Sequence, residues 1–153
     1  MAGFGKQPAA AKSGSKFEGK KTFTFLCAGT GITPIVQALH KLLNTPGDER
    51  KIVLLYGSKS PEDILCKEQL DEWARAHPHR LEVVHVVSRP GDGWDGETGR
   101  IRTDVLDRVL PTDRRERAYF LCASGPVMDA VTVALATLGI PDAHVSAERF
   151  AMA

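Results

Sequence analysis

Residues 24–43 read TFLCAGTGITPIVQALHKLL, and the fold follows from how this stretch divides. Phe23, Phe25, Leu26 and Cys27 form an apolar run, Gly29-Thr30-Gly31 a glycine turn, and the residues beyond it a helical pattern. Ile35, Val36, Leu39, Leu42 and Leu43 recur on one face at the spacing of an α-helix. Between strand and helix, the glycines let the backbone turn sharply and leave room beside it. Thr33 is the expected N-cap, and Pro34 the first helical residue, where its missing N–H costs nothing. Such a turn aims the first helical N–H groups and the positive end of the helix dipole at one point, a position that suits a phosphate. It is not a P-loop, because no Gly-Lys-Ser/Thr follows, and not a GxGxxG fingerprint, because the third glycine is absent. An ordinary strand–helix turn with a good cap explains this stretch equally well, so the rest of the chain decides.

Lys51 to Gly57 (KIVLLYG) is a continuous apolar run of the kind buried on both faces of a parallel sheet. Ser60-Pro61-Glu62-Asp63 has the cap, proline and first-turn acids of a helix start, with Ile64, Leu65, Leu70 and Trp73 as the apolar face. Leu81 to Ser88 is a third strand. Arg89 to Gly99 holds Pro90, Gly91, Gly93, Gly96 and Gly99 and is expected to be a loop throughout. Arg102 to Leu110 is a short helix ended by Pro111, and Ala118 to Cys122 a fourth strand. Ser124-Gly125 turns into Pro126 and a helix with Val127, Met128, Val131, Leu135 and Leu138 inside, and His144-Val145-Ser146 is a final short strand. This alternation makes the chain α/β. The expected architecture is Rossmann-like: a three-layer, open, parallel five-stranded sheet of order 3-2-1-4-5 with helices on both faces. Ligands of such sheets bind at the carboxyl ends of the strands, where strand order reverses.

At 153 residues the chain is one domain with a tail: Met1–Lys21, rich in Ala, Gly, Ser and Lys, is the expected linker, and 22–153 the domain. A net charge of +1 argues against a nucleic-acid partner held by phosphate contacts. No apolar stretch approaches the roughly 20 residues a membrane helix needs, so no membrane partner is expected. Cys27, Cys66 and Cys122 lack metal-ligand spacing and read as thiols in a reducing compartment, the cytoplasm by default. No metal is expected; a His77/His79 pair carries little weight, and all five histidines read as structural or solvated.

Two loops share one design of strand, cysteine, glycine turn, proline and helix, at Cys27–Gly31 and Cys122–Pro126. If their strands flank the switch point, Cys27 and Cys122 approach each other above the sheet. Cys122 then either lines a cofactor cleft or is a small buried hydrophobe at a strand end. Asp63 either meets the ribose hydroxyls of a dinucleotide or is a first-turn acid that needs no ligand. Ser58 and Lys59 pull the other way, since a lysine there could hold a 2′-phosphate. Trp94 is either a recognition surface or packs its loop down on the sheet.

Together these segments resemble the nicotinamide-nucleotide domain of the ferredoxin–NADP reductase superfamily, closest to its branch of cytochrome b5 reductase and the C-terminal reductase domain of eukaryotic nitrate reductase. The resemblance rests on Ala28-Gly29-Thr30-Gly31-Ile32-Thr33-Pro34, Leu55-Tyr56-Gly57-Ser58, Glu62-Asp63-Ile64-Leu65, Trp94-Asp95-Gly96 and Gly99-Arg100-Ile101, in family order. Cys122 through Gly125-Pro126 and Met128, and the terminal Glu148-Arg149-Phe150, complete it. It implies that the pyrophosphate of NADH, with NADPH as the alternative, lies over Gly29, Thr30, Gly31 and the helix start at Pro34. Gly57, Ser58, Lys59, Asp63 and Ile64 would hold the adenosine end. Ser124, Gly125, Pro126, Met128 and Phe150 would line the nicotinamide end, with Cys122, Thr33 and Glu148 at the junction where the hydride moves. No side chain would perform acid–base chemistry on it. Two departures stand out. The family's Cys-Gly-Pro motif is here Cys-Ala-Ser-Gly-Pro, so either Cys122 or Ser124 takes the cysteine's position. The family's flavin-binding barrel is not expected within this chain, so FAD would sit on an upstream domain or separate flavoprotein, with a haem or other acceptor beyond it. Alone, the chain would be inactive. A non-catalytic nucleotide-sensing or docking module is the rival reading.

Overall fold

The computed structural model describes residues 19–150, so the expectation of a linker over Met1–Lys21 lies almost wholly outside the described residues. Thr22–Ala28 forms β1 and Lys51–Ser58 forms β2. Both are buried along their middles without alternation, because both faces of the sheet are covered. Leu81–Val87 forms β3, Glu97–Thr98 β4, Ala118–Ser124 β5 and Val145–Phe150 β6. All pairings are parallel, in the order β4-β3-β2-β1-β5-β6. The five longer strands take the expected order.

The sixth strand is a correction. Arg89–Gly99 is not loop throughout: Glu97 and Thr98 pair with Val86 and Val87, and the Gly99 N–H donates to the Val87 carbonyl at 2.9 Å. The last strand also runs further than His144–Ser146, and His144 itself lies in the 3-10 turn Asp142–His144.

Ile32–Asn44 (α1) and Lys67–Ala76 (α2) cover one face of the sheet, Thr103–Val109 (α3) and Gly125–Thr137 (α4) the other. The first core joins Phe23, Phe25 and Cys27 to Ile35 and Leu39 of α1 and Leu70 of α2. The Phe120 ring stacks on Phe25 at 5.1 Å and meets Phe23 edge-on at 5.3 Å. The second core joins Leu26 and Leu121 to Leu106, Met128, Val131 and Leu135. Each such side chain contributes roughly 1.5–3 kcal/mol when fully buried.

Both expected helix starts shift. The glycine turn is itself wound, as a 3-10 turn over Gly29–Gly31, so the N-cap position falls on Gly31 (φ −61°, ψ −12°) and Thr33 lies exposed in the first turn of α1, capping nothing. Ser60-Pro61 opens only the 3-10 turn Pro61–Asp63. Ile64 returns to extended backbone, Cys66 adopts a left-handed φ of 58°, and α2 begins at Lys67. Ile64 is therefore buried ahead of the helix, and Leu65, at 43% exposure, is no part of its apolar face. In α4 Ala134 is buried, whereas Val127 and Leu138 sit half-buried at the margin.

The amino edge of the sheet is tied by charge. The buried Arg117 donates to Thr24 Oγ1 at 2.7 Å and the Phe23 carbonyl at 2.8 Å, and pairs with Asp113 at 3.0 Å. Asp48 receives Arg50 at 2.7 Å and Arg80 at 3.4 Å. The loops at the carboxyl edge carry the other candidate residues.

Candidate functional site

β1 lies between β2 and β5, so the chain winds away from it in both directions, and the crevice of an open α/β sheet opens at that reversal. Three segments follow the carboxyl ends of β1, β2 and β5 there: the turn at 29–31, the connection 59–66, and the start of α4. The turn lies against both β2 and β5.

Gly29 has a φ of +57°, a region open to glycine, and a Cβ there would meet nothing within 4 Å. The dihedral demands the glycine, not crowding, and the space beside it is open. Gly29, Thr30 and Thr33 are exposed, Pro34 half-buried and Gly31 buried. No side chain caps α1. An uncapped helix start above an open glycine turn suits an anion.

On the β2 side, a Cβ at Gly57 would touch Ile101 Cδ1 at 3.4 Å and Ala28 Cβ at 3.7 Å, so the strand end is tightly fitted. Pairing with β3 continues past it: the Ser88 N–H donates to the Ser58 carbonyl at 3.1 Å and the Arg89 N–H to the Lys59 carbonyl at 2.7 Å. Ser58 Oγ is buried near the Tyr56 hydroxyl without hydrogen-bond geometry to any described group. A buried orphan oxygen beside an open turn fits a site built for a polar ligand. Lys59 and Asp63 are exposed, and Asp63 Oδ2 accepts the Ser60 hydroxyl at 2.9 Å. Asp63 is therefore tied to Ser60 through its side chain, caps no backbone N–H, and keeps its carboxylate exposed.

Tyr56, which no sequence motif singles out, joins two of these segments. Its hydroxyl donates to the Gly29 carbonyl at 3.1 Å and accepts the Leu65 N–H at 3.1 Å. The signal was there: a tyrosine in a run of buried aliphatics must find partners for its oxygen.

On the β5 side, Cys27 and Cys122 stand opposite each other in register, and Glu148 of β6 stands opposite Cys122. The two thiols are neighbours, as expected, but are buried in the first core instead of lying open above the sheet. They are 1% and 2% exposed. Burial pushes the Cys27 thiol well up, with Cys122 adding to it. Burial, then the Glu148 carboxylate, pushes Cys122 up to about 11, so both are protonated at neutral pH. Ser124 ends β5 at the N-cap position of α4, half-buried, followed by the half-buried Gly125 and exposed Pro126, while Met128 is buried in the second core. Phe150 pairs through its backbone with Ser124, and its side chain lies outside the described residues. A small apolar hollow lies among Leu26, Cys27, Ile101, Ala123, Val127 and Met128.

Trp94 packs its loop down: its ring lies against the first core and its Nε1–H donates to the Glu97 carbonyl at 3.0 Å. Of the histidines, His85 meets Asp71 at 3.1 Å, His40 faces Trp73 at 5.9 Å, and His144 lies 3.2 Å from Lys20 Nζ. Among the described residues no group of three or more His, Cys, Asp or Glu side chains could hold a metal, and no helix is long and apolar enough to cross a membrane. The crevice combines a phosphate-ready turn, a polar segment on one side and, on the other, an apolar wall with the Glu148 carboxylate beside it. That is a place to hold and orient an extended anionic molecule.

The sequence pattern of the oxidoreductase NAD-binding domain matches residues 25–132. The chain is 38% identical over 109 residues to NADH-cytochrome b5 reductase 2 of Kluyveromyces lactis, covering 71% of this chain and 37% of that protein. It is 33% identical over 124 residues to NADH-cytochrome b5 reductase 1 of Lodderomyces elongisporus, covering 81% and 41%. It thus spans about two-fifths of the length of these relatives. Among solved structures, the cytochrome b5 reductase domain of Ulva prolifera nitrate reductase superposes with a TM-score of 0.77 at 30% identity, over 86% of this chain and 49% of that one. The CS-b5R domains of human Ncb5or, in their NAD+ form, superpose with a TM-score of 0.76 at 28% identity, over 89% and 39%.

Proposed function

This chain belongs to the oxidoreductase NAD-binding domain family, and from that premise we propose that it is the pyridine-nucleotide half of a flavin-dependent reductase, binding NADH and presenting its hydride to FAD held on an adjacent domain or separate flavoprotein. The observation that carries the reading is the wound turn Gly29–Gly31, open on its outer side and feeding an uncapped helix at the strand-order reversal.

The chemistry of the reaction belongs to the cofactors, NADH giving the hydride and FAD receiving it. The protein's residues bind, orient and exclude water. Gly29, Thr30, Gly31 and the start of α1 at Pro34 hold the pyrophosphate. Gly57, Ser58, Lys59, Asp63 and Ile64 frame the adenosine end, where the outward carboxylate of Asp63 favours free ribose hydroxyls over a 2′-phosphate. Thr33, Cys122, Ser124, Gly125 and Pro126 border the nicotinamide end, with Glu148 and Phe150 beside them. Cys122, buried and protonated, backs that end as an apolar wall that excludes water. Names of relatives support a haem or nitrate-reducing centre as the onward acceptor. Three free thiols support a reducing compartment such as the cytoplasm.

Reconstitution tests this. The chain is mixed with the flavin-binding part of a b5 reductase relative and NADH, and flavin absorbance is followed. Bleaching that depends on the chain supports the reading. No bleaching, with NADH still bound, contradicts it in favour of a nucleotide-sensing module, which the burial of Cys122 away from the surface would suit.

A further inference from the structure

The two segments that frame the crevice are far apart in sequence, yet one atom joins them. The Tyr56 ring is fully buried in β2, opposite Cys27 of β1 and His85 of β3. Its hydroxyl is shared between the Gly29 carbonyl, which accepts from it at 3.1 Å, and the Leu65 N–H, which donates to it at 3.1 Å. Both partners sit at points of unusual backbone. Gly29 has a φ of +57°, and Leu65 precedes Cys66, which at φ 58° is the one non-glycine residue with positive φ among those described. The turn over Gly29–Gly31 and the connection from Pro61 to Cys66 have few local means of fixing their spacing: neither 3-10 turn has a side-chain cap bond.

We propose that Tyr56 is a positioning residue whose hydroxyl sets the distance between the turn that takes the pyrophosphate and the connection that takes the adenosine ribose, so that the site presents both at the separation a dinucleotide requires. This rests on the nucleotide-binding reading above. The role demands a group that donates and accepts at once, from a rigid, buried stem. Tyr56 satisfies it: burial pushes its pKa up to about 12, so the hydroxyl keeps its proton, and both bonds, through the physiological range. A phenylalanine would pack in the same place and leave the Gly29 carbonyl and Leu65 N–H without their shared partner.

Tyr56→Phe tests the proposal, with NADH and free adenosine as ligands and amide hydrogen exchange as a ligand-free readout. The variant is expected to bind NADH about five- to twentyfold more weakly, the loss of a shared buried hydrogen bond. Adenosine, which reaches only the Pro61–Cys66 side, should change less than about twofold. The Leu65 amide should exchange faster, while amides in the middle of β1 and β5 keep their protection. Equal losses for NADH and adenosine, or loss of protection throughout the sheet, would mean that the hydroxyl only stabilises the fold and overturn the proposal. Unchanged NADH affinity alongside a wild type that binds would overturn it while leaving the nucleotide site standing. A wild type that binds no NADH would overturn the nucleotide site and the positioning role together.

Discussion

The indole of Trp94 lies over Gly96 so closely that a Cβ at Gly96 would stand 2.6 Å from Trp94 Cζ2 and 2.9 Å from Cε2. The ring is held by the bond from its Nε1–H to the Glu97 carbonyl and by the first core. Gly96→Ala must displace a rigid ring or bend the backbone that feeds β4. The expected cost is about 1–3 kcal/mol of stability in urea unfolding, by forced overpacking. A variant as stable as the wild type would show that the indole can leave its place freely.

How much of this was readable from the chain depends on the range of the contacts. The buried run KIVLLYG and the glycine turn were legible because their signals are local: continuous apolarity and paired glycines. The start of α2 was not. Ser60-Pro61-Glu62-Asp63 has every feature of a helix N-terminus, but it winds for one short turn and stops. Nothing local marks Cys66 as the residue that takes φ 58°. β4 was hidden for a similar reason, since Glu97 and Thr98 become strand only through pairing with Val86 and Val87. The Tyr56–Gly29 bond spans 27 residues and no spacing rule announces it. Thr33 misled because a wound glycine turn already supplies the helix start that a cap would have provided. The resemblance to known reductases supplied roles for side chains that local patterns left ambiguous, Asp63 above all.

The acid limb of stability should depend on Asp48. Burial pushes its carboxyl up, but hydrogen bonds and charge from Arg50, with Arg80 behind, outweigh this and hold it below the usual range. A lowered folded-state pKa contributes stability at pH values above the unfolded value of about 3.9 and loses it as pH falls through the folded one. Asp48→Asn is expected to cost about 1–2 kcal/mol at pH 7, with the gap to wild type closing below about pH 4. Urea unfolding at pH 7 and pH 3 checks this; an equal gap at both would remove ionisation from the account.

The thiols should separate by burial. Cys66 is exposed, whereas Cys27 and Cys122 are buried and held protonated by their surroundings. A thiol reagent on the native protein at pH 7 should modify one cysteine quickly and reach all three only in denaturant. Rapid native modification of Cys122 would contradict its place as a closed wall of the crevice.

Gly29→Ala should separate dihedral from space. No atom lies in the way of a Cβ, so the cost is that of holding alanine at φ +57°, about 1–2 kcal/mol in thermal unfolding. NADH binding should fall as well, because the new methyl projects into the opening that the pyrophosphate would fill. A loss of stability with NADH affinity unchanged would move the phosphate site away from the turn.

The central claim is that this crevice binds a nicotinamide dinucleotide with its adenosine ribose beside Asp63. Calorimetric titration of the chain with NADH and, separately, NADPH tests it most directly, repeated on Asp63→Ala. Binding of NADH in preference to NADPH is expected, with the preference shrinking in the variant and micromolar-to-millimolar affinity, roughly −8 to −4 kcal/mol. Binding of neither nucleotide by a folded wild-type chain would contradict the account.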